Sequence, residues 1–90
     1  MDLYVEAVSR IIKEQQAIIG PIAVDQAKKV AGLEIGADIK ITGNKKDVLG
    51  NLVNQFAKLF GQVSVEVCKE AFQPYKDKIP ASEIPDILKN

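Results

Sequence analysis

The chain has 90 residues, of which 47% are hydrophobic and 27% charged, a balance typical of a single globular domain. Its uninterrupted apolar runs are much shorter than the roughly 20 residues needed to cross a bilayer, so the sequence predicts neither a membrane span nor a membrane partner. Twelve Lys and Arg residues balance twelve Asp and Glu residues, and this zero net charge argues against binding nucleic acid by long-range attraction.

The N-terminal third predicts two helices. Apolar residues recur at helical spacing from Leu3 to Ile19, and Asp2 stands where an N-cap is expected. Gly20 and Pro21 then suit a helix end followed by a new helix start, because Pro is well tolerated at the first helical position. The helical period resumes over residues 22–31.

Residues 32–43 are predicted to be a connector. Within it, Ala37, Ile39 and Ile41 alternate with polar residues, which is typical of a short strand as much as of an ordered loop. A third helix is predicted to begin after Asn44, which is a suitable N-cap residue. Its apolar stripe continues to Phe60.

The C-terminal part predicts a fourth helix and a tail. Val63, Val65 and Val67 alternate like a strand, but a helical apolar face continues to Tyr75. Residues 76–90 contain two prolines and form a tail whose apolar residues Ile84, Ile87 and Leu88 are expected to dock on the helices.

An internal repeat relates the two halves of the chain. A shift of 41 residues superimposes apolar positions 7, 8, 11, 12, 18, 19 and 22 on 48, 49, 52, 53, 59, 60 and 63. The same shift matches Gly20 with Gly61, Asp25 with Glu66, and Lys28 with Lys69. Because any two amphipathic helices align by period, the Gly, acid and Lys matches are the evidence for a helix-Gly-helix duplication.

These observations favour an all-α fold: one domain over residues 1–90, with a first helix pair (1–31), the connector (32–43), a second helix pair (44–75) and the tail (76–90). If the duplication is real, a pseudo-two-fold axis relates the pairs. Two alternatives stay open: helices three and four are one long helix, or the fold is α+β with residues 37–42 paired to 63–67. The small size of the chain favours a homodimer.

No catalytic, cofactor or metal site is predicted. Histidine is absent, which removes the commonest general base and metal ligand. Cys68 is the only cysteine and is expected to be buried, and Glu66 and Glu70 are expected to be a solvated face. With one cysteine and a charged N-terminal segment, the cytoplasm is the expected compartment.

The connector and the start of helix three contain a superficial phosphate-loop pattern. Residues 36–46 read GADIKITGNKK, but the second Gly is followed by Asn44 where a Walker loop needs Lys. The lysines in and around this segment have no interleaved Arg or aromatic residues to read or stack bases, so a solvated lysine face is expected.

The most distinctive local string is Gly20-Pro21-Ile22-Ala23, in which small residues and a fixed Pro suit a close helix crossing. The surrounding segment, residues 18–31, reads IIGPIAVDQAKKVA. It resembles the Ile-Gly-Pro-Ile-Ala stretch and following helix of small helical modules attached to bacterial, including cyanobacterial, signalling and regulatory proteins. Those modules are not enzymes, so the resemblance implies a regulatory protein-interaction or oligomerisation role for the four residues.

Two functions fit these observations. The first is a non-catalytic interaction or oligomerisation module that binds itself or another protein through exposed apolar residues. Its expected contact residues are Gly20, Pro21, Ile22, Ala23, Val24, Val65, Phe72 and Tyr75. The alternative is a small-ligand-binding or sensing bundle whose apolar pocket is lined by Phe56, Phe60, Phe72 and Tyr75.

Overall fold

A computed structural model describes residues 2–89, which form helices and one small sheet. Its four α-helices are α1 (Leu3–Ile19), α2 (Ile22–Ala27), α3 (Lys45–Phe60) and α4 (Gln62–Phe72). Two short strands, β1 (Leu33–Ile35) and β2 (Ile39–Ile41), lie between α2 and α3. After α4, the chain forms 3₁₀ turns at Gln73–Tyr75, Ala81–Glu83 and Asp86–Leu88.

The predicted N-caps of α1 and α3 are confirmed. The Asp2 carboxylate accepts hydrogen bonds from the backbone N–H groups of Tyr4 (2.9 Å) and Val5 (3.5 Å). Asn44 Oδ1 accepts the Asp47 N–H at 3.0 Å. Each cap satisfies donors that have no partner within the helix, so these two residues fix where the long helices begin.

The expectation of a purely all-α fold is wrong, because the connector contains an antiparallel hairpin. Leu33 pairs with Ile41 and Ile35 pairs with Ile39. Residues 39–41 therefore do form a strand, but their partner is β1 and not residues 63–67, which are helical. A partner only a few residues away in the chain costs little loop entropy, and the side chain of Leu33 turns into the core.

Two of the predicted helices differ in extent from expectation. α2 ends at Ala27, and residues 28–32 form turns rather than its last helical turn. α3 and α4 are separate helices, because Gly61 between them has φ +79° and interrupts the helical hydrogen bonds. The alternative of one continuous helix is therefore wrong.

The core lies where α1, α3 and α4 meet, with α2, the hairpin and the C-terminal turns closing its edges. Its largest fully buried residues include Phe56, Phe72, Ile11, Leu49 and Leu52. The tail is attached at the end of the molecule where α1 begins: the Tyr4 hydroxyl donates to the Glu83 carbonyl oxygen at 2.7 Å, and Ile84 and Leu88 are buried.

Along residues 2–89, no helix has both the length and the apolar character required to traverse a lipid bilayer.

We expect Gly61→Ala to lower the free energy of unfolding by about 1–3 kcal/mol, because Gly61 combines φ +79° with ψ −162°, a region that L-residues occupy only under strain. An added Cβ meets no atom within 4 Å, so the loss would report the backbone alone. The measurement is urea unfolding followed by circular dichroism. Gly36→Ala is the control, since Gly36 also faces open space and does not have a positive φ. Equal stability of the two variants would contradict this account.

Candidate interaction surface

The two helix-Gly-helix junctions adopt almost the same backbone conformation. Gly20 has φ 75° and ψ −158°, and Gly61 has φ 79° and ψ −162°. In each case the Gly N–H donates to a carbonyl oxygen four residues earlier, Gln16 at 2.9 Å and Ala57 at 2.8 Å. The junctions that the 41-residue shift aligns in sequence are thus also alike in structure.

The exposed large hydrophobic residues of the described chain are all near these junctions. They are Ile18, Ile22, Leu59, Phe60 and Val63, and we call them the junction patch. Each lies within two residues of Gly20 or Gly61. Val63 is 73% exposed and Ile18 is 63% exposed, values unusual for β-branched apolar side chains in a folded domain. The 41-residue shift relates Ile18 to Leu59 and Ile22 to Val63.

Hydrogen bonds between the two helix pairs hold both junctions at the same end of the bundle. Gln15, one turn before the end of α1, donates from Nε2 to the Ser64 carbonyl oxygen at 3.0 Å. Ser64 lies in the first turn of α4. On the other side, Gln55 Nε2 donates to Gln26 Oε1 at 2.9 Å and joins α3 to α2. The end of α1 therefore lies beside the start of α4, and the end of α3 beside α2.

Gln15 is buried although it is polar, and its contacts explain why. In addition to the bond to Ser64, its Nε2 approaches Cys68 Sγ at 3.3 Å. A buried amide without hydrogen-bond partners would cost free energy. Gln15 therefore favours the one packing of α1 against α4 in which its amide has partners.

Charged residues of both signs border the patch. Asp25 and Glu66 follow Ile22 and Val63 by three residues, a spacing that puts them on the same helix faces. Glu66 accepts hydrogen bonds from Gln62 at 3.0 Å and from Lys69 at 3.3 Å. The hydrogen bond from Gln62 is the main cause that lowers the pKa of the Glu66 carboxyl, and the hydrogen bond from Lys69 is the second. This carboxyl is therefore ionised near neutral pH.

The contact residues predicted from sequence differ widely in exposure. Pro21 and Ile22 are exposed, Gly20 and Val24 are half-buried, and Ala23 is fully buried against the core. The expected exposure of Val65, Phe72 and Tyr75 is wrong, since they are 4%, 1% and 8% exposed. Their face of α4 and the turn after it packs inward with the rest of the core, and the Phe72 and Tyr75 rings pack together with centroids 6.2 Å apart.

Sequence reasoning did not single out Ile18, Leu59, Phe60 and Val63 as surface residues. All four belong to apolar stripes, and a stripe is normally read as buried. A signal was available in the repeat, because three of these residues and Ile22 occupy equivalent positions beside the two glycines. What the sequence does not contain is the geometry that turns these positions outward.

The aromatic residues proposed to line a ligand pocket do not enclose one. Phe56 and Phe72 fill the core, whereas Phe60 is at the surface. Tyr75 borders an open groove of 360 Å³ along α1, together with Arg10 and Lys13. Phe56 and Phe72 therefore serve as core packing, and Phe60 does not line a pocket with them.

The two lysines that follow Asn44 in the segment resembling a phosphate loop form contacts within the chain. Lys45 forms an ion pair with Asp2, and Lys46 donates to the Ser82 carbonyl oxygen at 3.1 Å. Within residues 2–89, no cluster of three His, Cys, Asp or Glu side chains is arranged to hold a metal ion.

Comparison with known protein families, curated proteins and solved structures finds no match for this chain.

We expect the Cys68 thiol to be unreactive in the folded protein. Burial raises its pKa to about 11, only partly offset by the hydrogen bond from Gln15. At pH 8 its alkylation by iodoacetamide should be about a hundredfold slower, or more, than in urea, because the thiolate is the reacting form. Since the folded-state pKa of Cys68 is raised, the contribution of this thiol to stability should be constant below about pH 9 and be lost as the pH rises towards 11. Rapid alkylation at pH 8, with the helical signal intact, would contradict this expectation.

Proposed function

We propose that this protein is a non-catalytic helical interaction or oligomerisation module, and that the junction patch is its contact surface for itself or another protein. The observation that carries the proposal is the confinement of the exposed large hydrophobic residues to the two glycine junctions. Single apolar residues scattered over a surface need no explanation, but exposed apolar residues gathered at one end of a domain are typical of an interaction site.

The size of the patch supports this role. If a large apolar residue offers about 200 Å² of surface, the five residues together expose on the order of 500 Å². That is near the upper limit for the largest apolar patch on an ordinary monomer. Leaving this area in water is unfavourable, and a partner that covers it would gain the corresponding hydrophobic free energy.

The polar surroundings support the same role. The border of the patch carries charged and amide side chains, among them Asp25, Gln62, Glu66 and Lys69. An apolar centre with a polar rim is the usual organisation of a protein–protein contact. The resemblance of residues 18–31 to bacterial interaction modules also agrees with this proposal and suggests a regulatory setting.

A small-ligand-binding bundle is the second candidate function, and the packing of the aromatic residues gives it less support. Phe56 and Phe72 are used in the core, so a ligand could reach them only if the helices separated. The open groove beside Tyr75 is lined by Glu6 as well as by Arg10 and Lys13, so it is the place to look for a ligand but its charges favour neither an anion nor a cation.

Site-specific photo-cross-linking tests the proposed function. A benzophenone amino acid at position 63 should form a discrete cross-linked protein product in cells that make the full chain, because Val63 is the most exposed patch residue. The matched control is the same amino acid at Ala81, which is also exposed but lies beside the Tyr4–Glu83 contact. α1 is about 25 Å long, so this control lies far from the junctions.

A product at position 63 that is several-fold weaker or absent at position 81 is the expected result. The absence of any product at position 63, or equal products at both positions, would argue against the junction patch as the contact surface.

A further inference from the structure

We infer that the partner of the junction patch is a second copy of this chain, docked end to end so that the two patches cover each other. This inference rests on the function proposed above and names the partner. Three features of the described residues carry it: the internal symmetry of the patch, its area and the signs of the charges around it.

The first feature is symmetry. Ile18 and Ile22 flank Gly20 as Leu59 and Val63 flank Gly61, and the two glycines have matching backbone angles. The hydrogen bonds from Gln15 to Ser64 and from Gln55 to Gln26 bring both junctions to one end of the bundle. The patch thus consists of two halves that are similar in sequence and in junction conformation. In a symmetric dimer the same patch is used twice, so a surface of paired, similar halves can meet its own copy in register.

The second feature is area. One patch exposes on the order of 500 Å² of apolar residue surface, so two facing patches would bury about 1,000 Å² before any polar rim is added. Stable, specific interfaces bury about 1,200–2,000 Å² in total. Rim residues next to the patch, such as Gln16, Pro21, Lys58 and Gln62, are exposed and can supply the remainder. Two facing patches together with their polar rims therefore reach the area of a small, stable dimer interface.

The third feature is charge. Each half of the border contributes one acid from the helix that follows its glycine, Asp25 in one half and Glu66 in the other. The repeat also supplies a lysine three residues after each acid, Lys28 and Lys69. A border of mixed sign can pair acids with lysines across a two-fold axis. An anionic lipid surface or a strongly charged partner would instead favour a border of one sign.

The test is the mass of the full-length protein in solution, by sedimentation equilibrium and native mass spectrometry over roughly 1 µM to 1 mM. We expect a species of twice 9.8 kDa whose share increases with concentration. Val63→Glu and Ile18→Glu should each raise the dimer Kd by about tenfold or more, because each change enters a symmetric interface twice.

Ala81→Glu is the matched control, since it adds the same charge at an exposed position near the other end of α1 and should leave the Kd unchanged. Far-UV circular dichroism and urea unfolding verify that each variant is folded. If a Glu variant fails to fold, Val63→Ser supplies the same comparison without a charge, and a weaker dimer is again expected.

Two results would overturn the inference: a wild-type chain that is monomeric at roughly 1 mM, or a control that dissociates as readily as Val63→Glu. A monomer that binds phosphatidylcholine vesicles and loses this binding in Val63→Glu would identify a lipid surface as the occupant instead.

The cross-linking experiment separates this inference from the proposed function. If the product formed at position 63 contains a different protein and the chain is monomeric, the proposed interaction function is supported and the proposed homodimer is wrong. If position 63 forms no product and the chain is monomeric, both fail.

Discussion

The positive φ of Gly20 and Gly61 sets the course of both helix pairs, and the core and the junction patch follow from it. A positive φ with an extended ψ is strained for every residue except glycine, and it stops a helix while changing the direction of the chain. If either glycine were helical, its helix pair would become one rod and could not fold around the common core. The same change of direction leaves the apolar residues on both sides of each glycine at the end of the bundle, outside the core.

Near these junctions a polar side chain is buried and apolar side chains are exposed, which is the opposite of what polarity alone predicts. Gln15 is inside and hydrogen-bonded to the Ser64 carbonyl oxygen, whereas Ile18, one turn later, is in solvent. The buried amide holds the end of α1 against α4 in one arrangement, because any shift would leave it without partners. The exposed residues are then fixed in place as a surface. Their position follows from the requirements of the core, and their apolar character is what suggests a partner.

Much of the fold could be predicted because it depends on local chemistry. Asp2 and Asn44 cap helices through side-chain oxygens, and a helical stripe of apolar residues follows each cap. The hairpin was only half predicted: the alternation around Ile39 and Ile41 was visible, but its partner Leu33–Ile35 is too short to show a period. Val63–Val67 carries a clearer strand-like alternation and is nevertheless helical, since Val65, Cys68 and Phe72 lie at helical spacing and are buried in the helix that packs on α1.

Caps, backbone freedom and periodicity act over a few residues, so the sequence alone predicts where α1 and α3 begin, that α1 ends at Gly20, and which apolar positions recur in the two halves. Which of those apolar residues are buried depends on the packing of the whole chain. Val65 and Phe72 are inside while Val63 and Ile18 are outside, although all four belong to apolar stripes. Periodicity defines the side of a helix on which a residue lies, but burial requires a neighbouring element to cover that side. At the glycine junctions no element of the described chain does so.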